Sequence, residues 1–287
     1  MFALTLGVAA CGNGNPFTTQ EEGADPESAN AFLTEEGSFL TLNNITYDPA
    51  TDTLTLNNIP FDDPTNTYDR ITGITFVDGF GAPNGFGAYD SNPAAGTNEI
   101  QYFAIFRRSD SGNSQVAAAG TTGYVDFGYG GAGAQRLGGD PTLPSGGIYS
   151  YNGEYGAVRT TQNTAGPGGP PTLEYVIGNA NLRLDIDDFD DTGAVGGTIT
   201  NRVLYNTAGA QVGTVAGFIS LRDTDIDFTN GTIVSQTATE FDGVGAQTNS
   251  GNWEGVFAGP NGEEIAGILV IENTDVREVG GFVATSP

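Results

Sequence analysis

Carboxylates are the only abundant side chains of this sequence that could take part in acid–base or metal chemistry. The 287 residues include 35 Asp and Glu, a single Cys and no His, and all nine basic residues are Arg. Without His there is no imidazole base, and without Lys there is no amine nucleophile. A carboxylate pair could still hydrolyse a glycoside, with Glu154, Glu263 and Glu264 as candidates. Glu263 and Glu264 are adjacent, however, and neighbours on a strand point to opposite faces, so we predict that the protein is not an enzyme.

The densest acidic run, residues 185–191, is the place to look for a calcium site, because Ca²⁺ prefers several carboxylate oxygens. Its candidate ligands are Asp185, Asp187 and Asp190. The spacing does not fit an EF-hand loop, since Phe189 stands where an oxygen ligand is required. On a strand, Asp185 and Asp187 would share a solvent-facing side. We interpret the run as a solvated strand and turn and predict no bound metal. The ligand inventory also disfavours haem, zinc and copper, so no cofactor is expected.

A glycine motif at residues 128–133 has the form G-x-G-x-x-G. A dinucleotide site would require a helix to begin there, because the N–H groups at the helix N-terminus hold the pyrophosphate. The sequence that follows, AQRLGGDP, cannot extend a helix. We therefore predict that the motif binds no nucleotide.

The N-terminus resembles a bacterial lipoprotein signal peptide. The apolar run Phe2–Ala10 is too short to span a bilayer as a helix, and small residues precede Cys11. In such a lipobox the cysteine is diacylated and becomes the mature N-terminus. No Lys or Arg precedes the apolar run, and the alternative is a buried strand with a free Cys. Residues 12–36 have the composition of a flexible acidic tether. We expect lipidation at Cys11, display on the outer membrane, and no other membrane anchor.

The net charge is extreme, at −26. Such a surface repels nucleic acids and anionic headgroups, so a role in binding DNA, RNA or a membrane surface is disfavoured. The charge indicates either solubility or attraction of a basic partner, and we favour solubility, because acidic surfaces are common and the choice of a partner requires a shaped patch.

The pattern along the chain is that of an all-β protein, with dense Gly and Pro punctuation and no sustained helical period. Phe39–Tyr47 and Thr53–Phe61 alternate on either side of a turn and predict a hairpin. Near the end, Trp253, Gly255 and Phe257 share one face of a strand, and a second alternating segment follows the turn at 259–262. Glycines interleaved with large apolar residues are typical of a small closed barrel, where the sheet must bend sharply. The sequence predicts a C-terminal antiparallel meander.

These C-terminal residues also resemble a known family. The phrase Trp253–Gly267, closed by Gly280-Gly281-Phe282, is similar to the end of the β-barrel domain of transferrin-binding protein B. Tyr151–Gly156 and Leu184–Asn201 resemble two earlier parts of that domain. The resemblance implies an all-β fold with an N-terminal β handle-like module and a C-terminal eight-stranded antiparallel soluble β-barrel. The corresponding organisation is a signal peptide with lipidated Cys at 1–11, a tether at 12–36, a handle-like module at 37–130, a Gly/Pro-rich linker at 131–147 and the barrel at 148–287.

The same resemblance implies a surface lipoprotein that binds a protein or small solute, for delivery to an outer-membrane receptor or transporter. The alternative is a structural or adhesive surface-coat lipoprotein with no transported ligand. In such a family recognition lies on loops and handle edges, and aromatic residues supply most anchors at protein interfaces. The segment FVDGFGAPNGFGAY at 76–89 therefore offers Phe80, Phe86 and Tyr89 as ligand-binding candidates. The competing interpretation is a Gly-rich loop whose Phe side chains pack onto the barrel.

Overall fold

Two large antiparallel sheets make up the protein. The computed structural model describes residues 32–34, 40–57, 59–60, 62, 67–93, 99–123, 127–162, 171–188 and 192–286, and this part contains no helix that could cross a membrane. In chain order the strands are β1 (Phe32–Thr34), β2 (Asn44–Asp48), β3 (Thr53–Asn57), β4 (Thr67–Arg70), β5 (Phe76–Val77), β6 (Pro83–Asn84), β7 (Gly87–Asp90), β8 (Phe103–Arg108), β9 (Ser114–Gly120), β10 (Gly130–Arg136), β11 (Ile148–Thr161), β12 (Thr172–Asp185), β13 (Ala194–Asn206), β14 (Gln211–Val215), β15 (Phe218–Thr224), β16 (Ile226–Asp227), β17 (Thr232–Phe241), β18 (Gln247–Ala258), β19 (Glu264–Glu272) and β20 (Val276–Thr285).

The second sheet closes into an eight-stranded barrel, as the resemblance implied. Its order is β12-β11-β20-β19-β18-β17-β15-β13, and pairing of β12 with β13 completes the ring. The predicted C-terminal meander is confirmed, because β18, β19 and β20 pair in succession as antiparallel strands. Trp253, Phe257 and Phe282 fill the interior as part of one buried cluster. The barrel is therefore a packed core.

The first sheet, which we call the handle, has the order β1-β10-β9-β8-β7-β4-β3-β2 and is nearly closed. Near the seam, the side chain of Gln115 on β9 donates to the carbonyl of Ile45 on β2 at 3.0 Å, and Leu40 bridges to Gly130 on β10. The predicted hairpin is confirmed as β2 and β3, with strands shorter than the alternating sequence indicated. The fold class is thus all-β, with a handle followed by a barrel.

A third apolar core joins the two sheets. It combines small residues of the handle, such as Ala118 and Ala132, with large ones on the outer barrel wall, such as Ile268 and Val283. Small side chains allow the sheets to approach closely, which raises the contact area per residue. This core explains why β19 is buried on both faces from Glu264 to Ile271. The interior face of that strand was evident in the sequence, whereas burial of its other face comes from the handle.

Two predictions from the sequence, the linker and the glycine motif, can be compared with the structure at the end of the handle. The predicted linker 131–147 is wrong for its first six residues, because Gly130–Arg136 form β10, a fully buried strand paired along β9. The G-x-G-x-x-G motif runs into this strand. Its glycines serve close packing, since a side chain at Gly130 would collide with the carbonyl of Ala119. The signal peptide, Cys11 and most of the tether lie outside the described residues.

Candidate functional site

The most exposed aromatic side chain of the described chain lies on a short, well-ordered turn between β5 and β6. Phe80 is 79% exposed. Asp78 organises the turn, because its Oδ1 accepts hydrogen bonds from the amides of Phe80 at 2.9 Å and Ala82 at 2.8 Å. The amide of Gly81, which has a φ of 81°, donates to the carbonyl of Asp78. Glycine suits that left-handed conformation, which most residues avoid. The turn therefore presents one aromatic ring on a backbone with internal support.

The hairpin that carries this turn is clamped to the barrel wall. Phe76 is buried and makes edge contacts with Tyr175 and Tyr205, at ring-centroid distances of 5.7 and 5.0 Å. The hydroxyl of Tyr205 donates to the carbonyl of Val77 at 2.8 Å and accepts from its amide at 3.2 Å. Asn179 donates to Asp78 at 3.1 Å. These contacts fix the base of the turn and leave its tip free.

The turn lies on β13 at the point where that strand changes partner. A side chain at Gly79 would come within 3.1 Å of Asn201, so the backbone sits directly on this residue. β13 pairs with β15 up to Ile199 and with β14 from Arg202 onward, and Asn201 between them has a φ of 55°. The register places residues 216–218 beside this point. The surroundings include other apolar side chains, which we call the apolar rim: the exposed Val212, Phe218 and Val244, and the half-buried Phe241.

Electrostatics at the turn favour an ionised Asp78. Burial by itself would raise the pKa of Asp78, but hydrogen bonds from Asn179 and from the amides of Ala82, Phe80 and Gly81 outweigh it and hold the pKa below its ordinary value. A carboxylate with a lowered folded-state pKa stabilises the fold above its ordinary pKa, and this stabilisation is lost as pH falls through the folded-state value. The turn is therefore expected to keep its order at neutral pH.

Replacing Asp78 by Ala is expected to loosen the turn while leaving Phe80 in place. The change removes three acceptor contacts of one buried side chain, so the free energy of unfolding should fall by about 1–2 kcal/mol. Amide hydrogen exchange should show loss of protection at Phe80 and Ala82. Asp227→Ala is the matched control, because Asp227 accepts from the amide of Thr229 in a similar turn at the other end of the barrel. Unchanged protection at Phe80 would show that Asp78 does not order the turn.

The structure separates the three aromatic residues proposed from the sequence. Phe86 is 2% exposed and packs over Gly156, where a Cβ would come 2.5 Å from the ring. Tyr89 is also buried, and its hydroxyl donates to Asp52 at 2.7 Å. Phe86 thus packs onto the barrel, as in the competing interpretation, whereas Tyr89 belongs to the core of the handle. Ligand binding by this segment stays a prediction, now confined to Phe80.

The acidic candidates have structural partners. Asp185 pairs with Arg183 at 2.8 Å, and Asp187 accepts from the amide of Gly147 at 2.8 Å. Asp190 lies outside the described residues. Within the described ranges no group of three or more His, Cys, Asp or Glu side chains could hold a metal ion. Two of the three carboxylates considered for catalysis are engaged at the handle–barrel contact, Glu154 with Arg107 and Glu264 with Ser114, and the third, Glu263, accepts from the amide of Asn261 at 2.7 Å.

A buried ionic network inside one end of the barrel was missed by the sequence interpretation. Arg202 donates to Glu240 at 2.5 Å and to Glu278 at 3.2 Å, and Arg159 donates to Glu278 at 2.7 Å. The hydroxyl of Tyr155 donates to Glu278 at 2.8 Å. The only sequence signal was the presence of Arg and Glu within otherwise alternating strands. The positive φ at Asn201, which offsets Arg202 by one place, obscured that signal.

No protein-family profile matches this chain, and no curated protein sequence matches it. Solved structures that resemble it include transferrin-binding protein B of Haemophilus parasuis, at 12% identity and a TM-score of 0.44, covering 90% of this chain and 45% of that one. Another is the N-lobe domain of lactoferrin-binding protein B of Moraxella bovis, at 14% identity and a TM-score of 0.31, covering 90% and 99%. This chain thus spans less than half the length of the transferrin-binding protein B structure. At such identities the likeness is one of fold alone. Transferrin-binding protein B, whose barrel domain the C-terminal motifs resemble, is among these structures.

Proposed function

We propose that this protein is a cell-surface binding protein that captures a protein partner through the Phe80 turn. The observation that carries the proposal is a 79% exposed aromatic ring on a turn supported by its own hydrogen bonds and clamped to the barrel. Burying an aromatic side chain in a partner's pocket supplies much of the binding energy of many interfaces. A turn that is ordered beforehand loses little conformational entropy on binding.

The chemistry of the surface indicates the class of partner. Phe80 and the apolar rim offer apolar contacts at one end of the molecule, and the net charge of −26 favours a partner with a basic surface. Electrostatic attraction of this kind mainly raises the association rate and weakens with salt. A basic protein with an apolar pocket therefore fits better than a small solute.

The cellular setting of the proposal comes from the sequence. The lipobox-like segment before Cys11 supports a lipid anchor in the outer membrane, and residues 12–36 would tether the folded part to it. In this arrangement the handle ends at Arg136 and the barrel begins at Ile148. Delivery of the captured partner to an outer-membrane transporter is the further step that the family resemblance implies.

Phe80→Ala is expected to weaken partner binding by at least about 2 kcal/mol, or about 30-fold, without lowering the free energy of unfolding. The ring is exposed, so its removal leaves no cavity in the core. Phe228→Ala is the matched control, since Phe228 is also exposed but lies towards the opposite end of the barrel, near Gly193. Binding is measured by co-purification of the partner with the tagged full-length protein.

The partner can be identified by replacing Phe80 with a photo-crosslinking phenylalanine analogue in cells. Irradiation followed by mass spectrometry should yield one dominant crosslinked protein from position 80 and none from position 228. The same protein should co-purify with the unmodified chain and be lost with Phe80→Ala. If position 80 gives no crosslink and the lipoprotein is extracted alone, a structural or adhesive coat becomes the better description.

A further inference from the structure

β14 carries a free strand edge. It pairs with β13 on one side, and β13 pairs on its other side with β12. β14 and β15 follow one another along β13, but β17 accompanies only β15, from Leu221 to Phe218. Beyond Phe241 the chain turns back into β18. Among the strands that the structure describes, none therefore covers the second edge of β14.

This edge is firmly held, and neither a charged residue nor a proline protects it. At the hairpin tip, Asn206 accepts hydrogen bonds from the amides of Ala208 and Ala210, and Gly209 lies against Ile74 of the handle. The strand sequence QVGTV contains no charged residue and no proline. Charges, prolines and bulges are the means by which natural edge strands avoid pairing with other chains, and of these β14 has only an irregularity in its pairing with β13, between Gln211 and Gly213. In an antiparallel pair, alternate residues direct their N–H and C=O groups away from the partner strand. The outer edge of β14 therefore presents backbone N–H and C=O groups that an additional strand could bind.

The apolar rim lies beside the same edge. The tip of the β17–β18 hairpin carries Val244, which is 91% exposed, and Phe218 stacks on Phe241 at 5.3 Å. A side chain at Gly243 would touch Ala216, so this tip packs next to the junction of β14 and β15. Val212 on β14 itself is 51% exposed. A strand that paired with β14 would thus lie close to these apolar side chains.

The charge of the protein indicates which kind of segment could pair with the free edge of β14. Asp242 is the carboxylate at the tip of the β17–β18 hairpin. Three arginines of this barrel end have carboxylate partners: Arg159 and Arg202 with Glu240 and Glu278, and Arg277 with Glu272. A second copy of the chain would bring another net charge of −26 and be repelled, whereas a basic segment would be attracted.

We propose that β14 accepts an extended basic segment of a partner protein as an added strand, with its apolar side chains on Val212 and the apolar rim. Main-chain hydrogen bonds provide affinity in this mode, and alternate side chains provide specificity. The proposal rests on the proposed function only in taking the partner to be a protein. It shares the apolar rim with the proposed function but uses the β14 edge instead of the Phe80 ring, so substitution at Phe80 and substitution on β14 test the two proposals separately.

The test uses the full-length protein and two labelled heptapeptides, one alternating valine with arginine and one alternating valine with glutamate. Fluorescence anisotropy should show saturable binding of the arginine peptide and at least about tenfold weaker binding of the glutamate peptide. Val212→Lys should weaken binding of the arginine peptide about tenfold, because lysine on an edge strand opposes both pairing and a basic ligand. Val234→Lys is the matched control, since Val234 on β17 is 49% exposed, close to the 51% of Val212. Phe80→Ala should leave peptide binding unchanged.

Amide hydrogen exchange locates the bound peptide. Residues 211–215 should gain protection on addition of the arginine peptide, and the exposed wall around Val234 should not. Absence of peptide binding, an equal loss in the Val212→Lys and Val234→Lys variants, or protection elsewhere would each overturn the proposal. So would a dimer in sedimentation whose edge is already protected without peptide, because the occupant would then be a second copy.

Discussion

Glu278→Ala is expected to lower the free energy of unfolding by about 3–5 kcal/mol, the usual consequence of removing one partner of a buried ion pair. Glu278 is fully buried and accepts hydrogen bonds from Tyr155, Arg159 and Arg202. Its loss would leave the Arg202 guanidinium, itself buried, with Glu240 as its remaining counter-ion. Desolvated charge without enough opposite charge is costly, and the Arg202 side chain is buried in the barrel.

Urea denaturation followed by the fluorescence of Trp253 measures this effect in the barrel itself. Trp253 is the single tryptophan and is buried in the barrel interior. Glu272→Ala is the matched control, because Glu272 pairs with Arg277 near the same end but is substantially exposed. A Glu278→Ala effect no larger than that of Glu272→Ala would contradict the assignment. The double variant Arg202→Met with Glu278→Leu should be much less harmful than Glu278→Ala, since both charges are then removed together.

The network also predicts a pH dependence with a defined sign. Burial alone would raise the pKa of Glu278, but the charges of Arg202 and Arg159 and the Tyr155 hydrogen bond outweigh it and hold the pKa below its ordinary value. The stabilisation is therefore complete above the ordinary carboxyl pKa and is lost as pH falls through the lower folded-state value. Glu278→Gln should lack this component. The difference in unfolding free energy between the two proteins should shrink towards acid, and a constant difference would show that Glu278 is not ionised.

Arg136→Met is expected to lower the free energy of unfolding by about 2–4 kcal/mol and to uncouple the handle from the barrel. Arg136 belongs to the handle strand β10, yet its Nη1 donates to the carbonyls of Asn230 at 3.0 Å and Phe257 at 3.2 Å on the barrel. Its Nη2 pairs with Asp140. Burial lowers the pKa of Arg136, with Asp140 opposing the shift, but arginine stays protonated at any ordinary pH. Methionine keeps the apolar stem and leaves both barrel carbonyls without this donor.

Uncoupling should be visible as a second unfolding transition. Trp253 reports on the barrel alone, whereas far-ultraviolet circular dichroism reports on both sheets, so the two curves should separate in Arg136→Met and coincide in the unchanged protein. Arg183→Met is the matched control, since Arg183 is exposed on the barrel and pairs only with nearby Asp185 among the described residues. Coincident curves with an unchanged midpoint would show that the apolar core alone holds the sheets together.

The alternating pattern of the sequence predicted the fold class. The residue inventory predicted that imidazole and amine chemistry play no part. Absence of His and Lys is independent of folding, so the expectation that imidazole and amine chemistry play no part needs no structure. Trp253 and Phe257, two residues on either side of Gly255, predicted a strand with one buried face, and that strand is β18. Local periodicity succeeds here because strand side chains alternate by geometry alone.

Tertiary structure alone decided which aromatic residue is available to a partner and which charges are buried. Phe80 and Phe86 stand in identical Gly-Phe-Gly triplets six residues apart, yet one is 79% exposed and the other 2%. The difference arises because Gly156, distant in sequence, leaves room for the Phe86 ring, while nothing in the described chain covers Phe80. Likewise, Arg202 enters the barrel because the irregular residue Asn201 shifts the strand by one place. Local sequence sets how a strand can alternate, but the surface that meets each side chain comes from residues far along the chain, and that surface determines exposure.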